Sequence, residues 1–269
     1  MNNNNPSSHS NNQDQTQIQD KNQNQKKPSI QKENALVLEK KLVSEKVIQE
    51  LKEGMVLGVG SGSTVRLFVE KLANWIKENQ AEITCVPTSY ATEIMLRSFD
   101  LPVSSLWNHP EIDLTIDGAD KLDSKGRMIK GLGGALFREK MVAFASKKVI
   151  ILIDSSKWVD QISPPWILPV EVSRFGYKLV EKKLLELGGI WSLRSDRVGN
   201  PFLTDDNNFI LDGRFDKQLK SPSEALDVEK LDRMIKNIPG VIETGFFLNL
   251  CSKAYLAVQR KVEEIIFKK

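Results

Sequence analysis

Short apolar segments alternate with helix-like segments through the first half of this chain, and a polar turn follows each apolar segment. The segments Met55 to Val59, Ile83 to Val86 and Ile112 to Ile116 have the length and composition of buried strands. Apolar residues from Ala35 to Glu53 recur at helical spacing instead. This succession predicts an α/β fold with a doubly wound parallel sheet, whose polar turns gather along one edge.

The order of predicted elements changes after a Ser-Pro-Pro sequence at residues 163–165. The second half reads strand, helix, strand, strand, helix, strand, which is typical of a ferredoxin-like fold. These elements are residues 167–172, 177–187, 190–194, 209–215, 223–238 and 241–247. We therefore predict a Rossmann-like catalytic domain of residues 35–165 and 248–269, and a smaller ferredoxin-like α+β domain of residues 166–247. Residues Cys251 to Phe267 are expected to rejoin the first domain as a strand and a helix.

Residues 1–34 consist mostly of Asn, Gln, Ser, Lys and Asp, with very few apolar residues. Such a segment cannot bury enough surface to offset the entropy lost on ordering, so we expect a disordered tail. It has no apolar core for a signal peptide and lacks the arginines typical of a transit peptide. We therefore expect a cytoplasmic location, with a plastid as the alternative.

The remaining composition limits the partners and cofactors of the protein. A formal net charge of +3 gives no argument for nucleic-acid binding, and no apolar run approaches the roughly 18 residues of a membrane span. Cys85 and Cys251 are far apart in apolar settings, so neither a disulfide framework nor a zinc site is indicated. His9 lies in the tail and His109 beside a proline, which leaves carboxylates, lysines and hydroxyls for acid–base chemistry. We expect no metal and no cofactor.

A glycine-rich turn (residues 58–64) follows the first predicted strand and precedes a predicted helix. Glycines let backbone N–H groups approach an anion, and a helix N-terminus adds a favourable dipole, so this turn is a candidate phosphate site. Its spacing matches neither a dinucleotide-binding fingerprint nor a Walker loop. The alternative is a tight turn in which Ser63 or Thr64 only caps the helix, and the local sequence leaves both interpretations open.

Charged residues and glycines are concentrated between Asp117 and Lys140. Asp117 and Asp120 follow a predicted strand, and the turn between them lets both carboxylates face one pocket, where they suit proton donation and acceptance. The alternative is that Asp117 makes a turn hydrogen bond and Asp120 caps. Lys130 precedes a Gly-Leu-Gly-Gly sequence whose backbone N–H groups, with the lysine, suit stabilisation of an oxyanion. The alternative for Lys130 is a solvated side chain.

Glu139 lies on a predicted helix whose other residues are mostly apolar. Burying a carboxylate is costly unless the group is paired or used in chemistry. Pairing with Arg138, Lys140 or a lysine from another loop is the structural alternative. Together, carboxylates, lysines and a phosphate-suited turn at strand ends indicate proton transfer on a small phosphorylated substrate.

Six spaced motifs closely resemble ribose-5-phosphate isomerase of the A type, in the order of that family and over roughly residues 36–250. They are Gly58 to Thr64, Asp117 to Asp120, Lys130 to Lys140, Asp154 to Lys157, Leu168 to Val172 and Thr204 to Ile210. The resemblance implies interconversion of D-ribose 5-phosphate and D-ribulose 5-phosphate, in the non-oxidative pentose phosphate pathway, through a cis-enediolate and without a metal. It also implies a homo-oligomer, either a dimer or a tetramer.

The same resemblance implies roles for individual residues. Glu139 is the base that moves a proton between C1 and C2 of the sugar. Asp117, with Asp120 beside it, assists ring opening or moves protons at the sugar oxygens, and Lys130 with the following amides holds the enediolate oxygens. The implied substrate-binding residues are Ser61, Gly62, Ser63, Thr64, Gly118, Ala119, Gly131, Leu132, Gly133 and Lys157.

The chain departs from the family pattern at five places, three of which are Phe137 in place of a threonine, the turn Asp205 to Asn208 in place of Asp-Asn-Gly-Asn, and Leu250 to Ser252 in place of Arg-Ala-Asp. Lys121 stands where an acidic residue is usual, and Leu132 stands where a glycine is usual. Because Leu132 adds a side chain to a loop that must approach the substrate, an alternative function is that of a catalytically weak or inactive paralogue that binds a sugar phosphate. An amino-sugar phosphate deaminase or lactonase would need a catalytic histidine, and the motifs contain none.

Overall fold

The computed structural model describes residues 32–216 and 227–268. Its α-helices are α1 (32–46), α2 (Ser63–Asn79), α3 (Tyr90–Ser98), α4 (Leu136–Phe144), α5 (Tyr177–Glu186) and α6 (Val228–Lys236). Its strands are β1 (Val56–Val59), β2 (Thr84–Pro87), β3 (Ile112–Asp117), β4 (Lys121–Asp123), β5 (Met128–Ile129), β6 (Ser146–Asp154), β7 (Trp158–Val159), β8 (Trp166–Val172), β9 (Ile190–Leu193), β10 (Phe209–Phe215), β11 (Val241–Thr244), β12 (Phe246–Phe247), β13 (Lys253–Val258) and β14 (Lys261–Ile266). Short 3₁₀ turns follow α1 (Val47–Glu50) and precede α5 (Arg174–Gly176).

The largest sheet has the order β14-β13-β6-β3-β1-β2, and all its neighbours are parallel except the β13–β14 pair. Both of its faces are covered. Ile150 and Leu152 of β6 pack in a cluster with residues of α1 and α2. Val149, Ile151 and Ile153 of the same strand pack in another cluster with residues of α4. Since successive strand residues point to opposite faces, helices lie on both sides of the sheet, which confirms the predicted doubly wound fold.

A second sheet has the order β11-β8-β10-β9, with every pair antiparallel. Helices α5 and α6 pack on it through Val180, Leu184, Leu231 and Ile235. The element order βαββαβ with these pairings confirms the ferredoxin-like part of the predicted fold. The division of the chain into domains at residues 165/166 and 247/248 stays a prediction.

A third, small sheet, β12-β5-β4-β7, joins the other two and was not predicted. Its strands are two or three residues long, too short to show the alternation that indicates a strand in sequence. Gly245 separates β11 from β12; its N–H donates to the carbonyl of Pro169 (2.7 Å) and its carbonyl accepts from the N–H of Lys130 (2.9 Å). This turn fixes the backbone at Lys130.

The C-terminal segment, Cys251 to Phe267, does not form the predicted strand and helix. It forms the hairpin β13–β14, in which six residue pairs align from Lys253/Ile266 to Val258/Lys261. The apolar spacing after residue 261 is compatible with a helix. However, Gln259 and Arg260 adopt left-handed backbone conformations (φ 48° and 68°), which suit a two-residue hairpin turn.

Two predictions fall partly or wholly outside the described residues. The predicted tail lies largely in residues 1–31, which are not described, and α1 begins at residue 32, within the segment that the composition assigned to the tail. The predicted start of α6 at residue 223 also lies outside the described part, whereas Asp227 caps the helix by accepting from the N–H groups of Glu229 and Lys230. Within the described ranges, the structure contains no helix long and apolar enough to cross a bilayer.

Candidate active site

A cavity of about 570 Å³ lies at the carboxyl ends of β1, β3 and β6. Twelve of the fourteen residues that the sequence assigned to the site line it. They are Ser61, Gly62, Ser63, Thr64, Gly118, Ala119, Asp120, Lys130, Gly131, Gly133, Glu139 and Lys157. The two exceptions are Asp117 and Leu132. The chain folds to this arrangement because parallel strands end at a common edge, where their following turns meet.

The glycine-rich turn leads into α2 at the edge of the cavity. Gly62 is the N-cap residue of α2, with φ +91°, and no side chain caps the helix. The interpretation of Ser63 or Thr64 as a cap is therefore wrong. The first N–H groups of a helix have no partner within it, so those of α2 are left for an anion.

Two lysines border the same turn. Lys157, from the segment after β6, lines the cavity as predicted. Lys40, from α1, also lines it, and its Nζ lies 3.1 Å from Ser63 Oγ and 3.9 Å from Asp154 Oδ2. The sequence did not single out Lys40, because a lysine on an amphipathic helix is ordinarily solvated. Its placement depends on the packing of α1 against α2, where Ser44 Oγ donates to the carbonyl of Thr64 (3.1 Å).

Lys130 lies buried among oxygen atoms. Its Nζ is 2.5 Å from the carbonyl oxygen of Gly118, 3.0 Å from Asp117 Oδ2 and 3.4 Å from Glu139 Oε1. Burial alone lowers the pKa of Lys130, but the attraction of Asp117 and Glu139 outweighs this effect and holds the pKa above its usual value. The lysine is therefore a fixed positive charge in the site, and the alternative of a solvated side chain is wrong.

Glu139 lies in the first turn of α4, with about 5% of its surface exposed. Its Oε1 accepts a hydrogen bond from Ser61 Oγ at 2.6 Å. Burial raises the pKa of Glu139 to about 7, and the charge of Asp117 adds to the rise, while Lys130 and Ser61 oppose it. A carboxyl group that titrates near neutrality can both accept and donate a proton at physiological pH.

The sequence neighbours of Glu139 pair elsewhere. Arg138 Nε donates to Asp206 Oδ2 at 2.9 Å, and Lys140 Nζ donates to Glu243 Oε1 at 2.8 Å. The sequence indicated Arg138, Lys140 or a lysine from another loop as the partner of Glu139. In the structure the partner is Lys130, a lysine from another loop.

Asp117 lies behind the cavity rather than in its lining. Its Oδ1 accepts from the N–H groups of Gly118 (2.7 Å) and Ser61 (3.1 Å), and its Oδ2 pairs with Lys130. Asp117 therefore makes the turn hydrogen bond that the sequence left as the alternative, and it also forms the ion pair with Lys130. Gly60 is necessary beside it, because a Cβ at that position would lie 1.9 Å from Asp117 Oδ1.

Asp120 lines the cavity and also fixes the loop of residues 131–134, here called the glycine loop. Its Oδ2 accepts from the N–H of Leu132 at 3.0 Å, so Asp120 is not a helix cap. The Leu132 side chain is about half exposed and lines a separate surface hollow with Lys121 and Ile167. Neither Leu132 nor Lys121 therefore places a side chain in the cavity.

The ferredoxin-like part supplies three lining residues that the sequence did not identify: Phe202, Leu203 and Asp205. Asp205 Oδ2 accepts from the N–H of Tyr90 at 2.7 Å, which ties this segment to α3. Gly134, at φ +87°, is needed under the Phe202 ring, because a Cβ there would lie 2.5 Å from it. The only sequence signal for this segment was the Thr204 to Ile210 motif.

The described residues contain no group of three or more histidine, cysteine or acidic side chains arranged to hold a metal ion. The cavity instead combines a helix N-terminus and two lysines, suited to a phosphate, with a buried carboxyl group next to a buried lysine. This arrangement can move a proton on carbon while a cation and backbone amides stabilise the resulting oxyanion.

Comparisons with known proteins agree with this chemistry. The model of the ribose 5-phosphate isomerase A (phosphoriboisomerase A) family matches residues 84–261. Ribose-5-phosphate isomerase A of Prochlorococcus marinus strain NATL1A is 41% identical over 205 residues, which are 76% of this chain and 84% of that protein. Ribose 5-phosphate isomerase A from Methanocaldococcus jannaschii superposes with a TM-score of 0.77 at 32% identity, covering 85% of this chain and 98% of that one. A solved D-ribose-5-phosphate isomerase in complex with phospho-erythronic acid gives a TM-score of 0.79 at 29% identity, covering 86% and 99%.

Proposed function

Because the chain belongs to the ribose 5-phosphate isomerase A family, we propose that it is an aldose–ketose isomerase that interconverts D-ribose 5-phosphate and D-ribulose 5-phosphate through a cis-enediolate. The observation that carries the proposal is the buried Glu139 carboxyl group, whose pKa of about 7 suits a base and whose cavity also holds the open N-terminus of α2. Leu132 and Lys121, which suggested an inactive paralogue, lie outside this cavity.

The substrate phosphate binds at the N-terminus of α2. The N–H groups and hydroxyls of residues 61–64 surround it, and Lys40 and Lys157 supply positive charge. The related isomerase in complex with phospho-erythronic acid supports a small phosphorylated polyhydroxy ligand of this kind. The substrate phosphate at residues 61–64 anchors one end of the sugar, so that C1 and C2 at the other end can lie next to Glu139.

Glu139 removes the proton from C2 of the open-chain aldose and returns it to C1, while a second proton moves from O2 to O1. Charge develops on these oxygens in the enediolate, where the Lys130 ammonium and the N–H of Gly133 stabilise it. Asp120 assists ring opening and moves protons at the sugar oxygens, because it borders the cavity. Asp117 acts by holding Lys130, with which it pairs at 3.0 Å.

Turnover of ribose 5-phosphate by the purified protein tests the function. We expect formation of the ketose by the wild type and a loss of kcat of roughly 10²–10⁴-fold in Glu139→Gln, because the amide cannot accept the proton. Glu186→Gln, at an exposed position that ends α5, is the matched control and should retain full activity.

Two results would contradict parts of this proposal. Undiminished turnover in Glu139→Gln would remove Glu139 as the base. Calorimetric binding of ribose 5-phosphate by the wild type, without turnover or exchange of the C2 proton with solvent, would establish the inactive sugar-phosphate-binding paralogue instead.

We also propose that the protein is a cytoplasmic homo-oligomer, a dimer or a tetramer. Family resemblance supports the oligomer, and so do the strongly exposed apolar side chains of Trp107 and Phe144. The burial of both cysteines, which raises the pKa of each thiol to about 12, is compatible with a reducing compartment. Sedimentation velocity and fractionation of cells measure the two properties.

A further inference from the structure

Arg194 contacts the glycine loop without lining the cavity. Its Nη1 donates to the carbonyl oxygens of Gly131 (2.9 Å) and Leu132 (3.1 Å). The side chain is about nine-tenths buried, although it follows β9 of the ferredoxin-like sheet and is more than 60 residues from the loop in sequence. One guanidinium nitrogen therefore fixes two successive peptide groups of the loop.

The direction of these peptide groups follows from their planarity. In a trans peptide the carbonyl and the N–H of the next residue point in opposite directions. The carbonyl of Gly131 points to Arg194, and the N–H of Leu132 accordingly points to Asp120, to which it donates at 3.0 Å. The carbonyl of Leu132 also points to Arg194, so the N–H of Gly133 points away from the guanidinium. Gly133 lines the cavity, so an N–H that points away from Arg194 is available to the substrate side.

Arg194 is itself held in place from several directions. Its Nε and Nη2 form a fork with the two carboxylate oxygens of Asp212, at 2.8 and 2.5 Å. Its backbone N–H donates to Ile210, and its carbonyl accepts from Phe202, both at 2.9 Å. A planar guanidinium in a bidentate pair has little freedom to rotate, so its remaining nitrogen is a rigid donor.

We infer that Arg194, fixed by Asp212, is a positioning residue that directs the N–H of Gly133 at the oxygen on which the enediolate charge develops. This inference rests on the proposed isomerase function. The positive charge beside the carbonyl end of the peptide also favours the orientation that presents the N–H end to the cavity. Because the substrate phosphate binds at residues 61–64, Arg194 contributes to the transition state more than to binding of the substrate.

Steady-state kinetics of Arg194→Met test the inference. We expect kcat to fall about 10–100-fold, with KM changed by less than about threefold. A misdirected donor stabilises the transition state less but does not affect binding of the substrate. Arg194→Lys should give an intermediate loss, since one ammonium cannot reproduce the fork. Asp212→Asn, which keeps the arginine but weakens its fixation, should give a smaller loss. Arg197→Met, an exposed position on the same connection, is the control and should retain wild-type kinetics.

Amide hydrogen exchange supplies a second readout that does not depend on turnover. In Arg194→Met, the N–H of Leu132 should exchange faster than in the wild type, whereas amides of β3 should exchange at unchanged rates. A kcat within twofold of the wild type, or a loss confined to KM, would overturn the catalytic part of the inference. Unchanged exchange at Leu132 would overturn the structural part. An inactive wild type would contradict the proposed function, and the exchange experiment would still decide whether Arg194 orders the loop.

Discussion

Three consecutive residues of α4 have three different surroundings. Arg138 pairs with Asp206 of the ferredoxin-like part, Glu139 faces the cavity, and Lys140 reaches Glu243 of β11. Successive side chains on a helix are turned by about 100° from each other, so one short helix serves three contacts. Glu139 is consequently the only one of the three that remains for the substrate.

The pH dependence of activity should follow Glu139. A base must be ionised, so kcat/KM should rise with pH through an apparent pKa near 7 and fall as the pH drops below it. Burial is the main cause of the raised pKa, and the hydrogen bond from Ser61 opposes it. Removing this bond in Ser61→Ala should therefore move the acid limb of the kcat/KM profile to higher pH.

Ser63→Ala is the matched control for this measurement. Ser63 borders the phosphate site and contacts Lys40 rather than Glu139, so its loss should raise KM without moving the midpoint. The substrate phosphate also titrates near pH 6, equally in all variants. The effect of Ser61 is therefore read from the difference between the kcat/KM profiles of the variant and the wild type. An identical acid limb in Ser61→Ala and wild type would argue against this role of the hydrogen bond.

The unit of β1, the glycine-rich turn and α2 depends on close contact with β3. Gly58 and Gly60 lie against Thr115 and Asp117, and a Cβ at either position would come within 1.9 Å of a side-chain oxygen. At Gly60 this oxygen belongs to the carboxylate that holds Lys130. The glycines therefore serve the packing of two parallel strands as well as access to the helix N-terminus.

Gly60→Ala should be destabilising and should reduce activity. We expect a loss of about 1–3 kcal/mol in the free energy of unfolding, because the Asp117 side chain must move, and at least a tenfold fall in kcat as Lys130 loses its partner. Gly176→Ala, where a Cβ would meet nothing within 4 Å, should change stability by less than about 0.5 kcal/mol. Urea denaturation measures the stability of both variants. Equal denaturation midpoints would show that the contact of a Cβ at position 60 with Asp117 does not destabilise the fold.

At the scale of the whole molecule, Lys140 connects α4 of the α/β part to the ferredoxin-like sheet. Its Nζ donates to Glu243 at 2.8 Å and to the carbonyls of Thr244 and Phe246 at 2.7 Å each. Burial lowers the pKa of Lys140 to about 8, although Glu243 favours the charged form. This buried contact fixes the position of α4, and with it Glu139, relative to β11 and β12.

Lys140→Met should reduce the free energy of unfolding by about 1–3 kcal/mol, because the carbonyls of Thr244 and Phe246 lose a buried charged donor, whereas Glu243 keeps the ammonium of Lys236 at 3.1 Å. The unfolded lysine binds its proton up to about pH 10.4, whereas the folded one releases it near pH 8. The contribution of Lys140 to stability is thus greatest above pH 10 and decreases as the pH falls through 8. The cost of the substitution should therefore be larger at pH 10 than at pH 7.

Lys147→Met provides the control, since Lys147 makes an exposed pair with Asp113 that should be worth no more than about 1 kcal/mol. Chemical denaturation of both variants at the two pH values measures the difference. A cost of Lys140→Met that is no greater than that of Lys147→Met would contradict the linking role.

The sequence by itself determined the alternation of strands and helices, both glycine segments, the Asp117 to Asp120 turn and Glu139. These are local features, because strand length, helical spacing and glycine position are set by the backbone over a few residues. The βαββαβ order of the second half was likewise readable, since each of its elements is long enough to show its own pattern.

Only the tertiary structure placed Lys40, Phe202 and Asp205 at the cavity, turned the Leu132 side chain away from it, and set Arg194 behind the glycine loop. It also made the C-terminal segment a hairpin. These outcomes depend on how distant elements pack against each other, and periodicity within one element carries no information about its partner. Such contacts decide which charges are buried and which are paired. Burial raises the pKa of Glu139, whereas the carboxylates of Asp117 and Glu139 hold the pKa of Lys130 above its usual value, and the proposed chemistry depends on both.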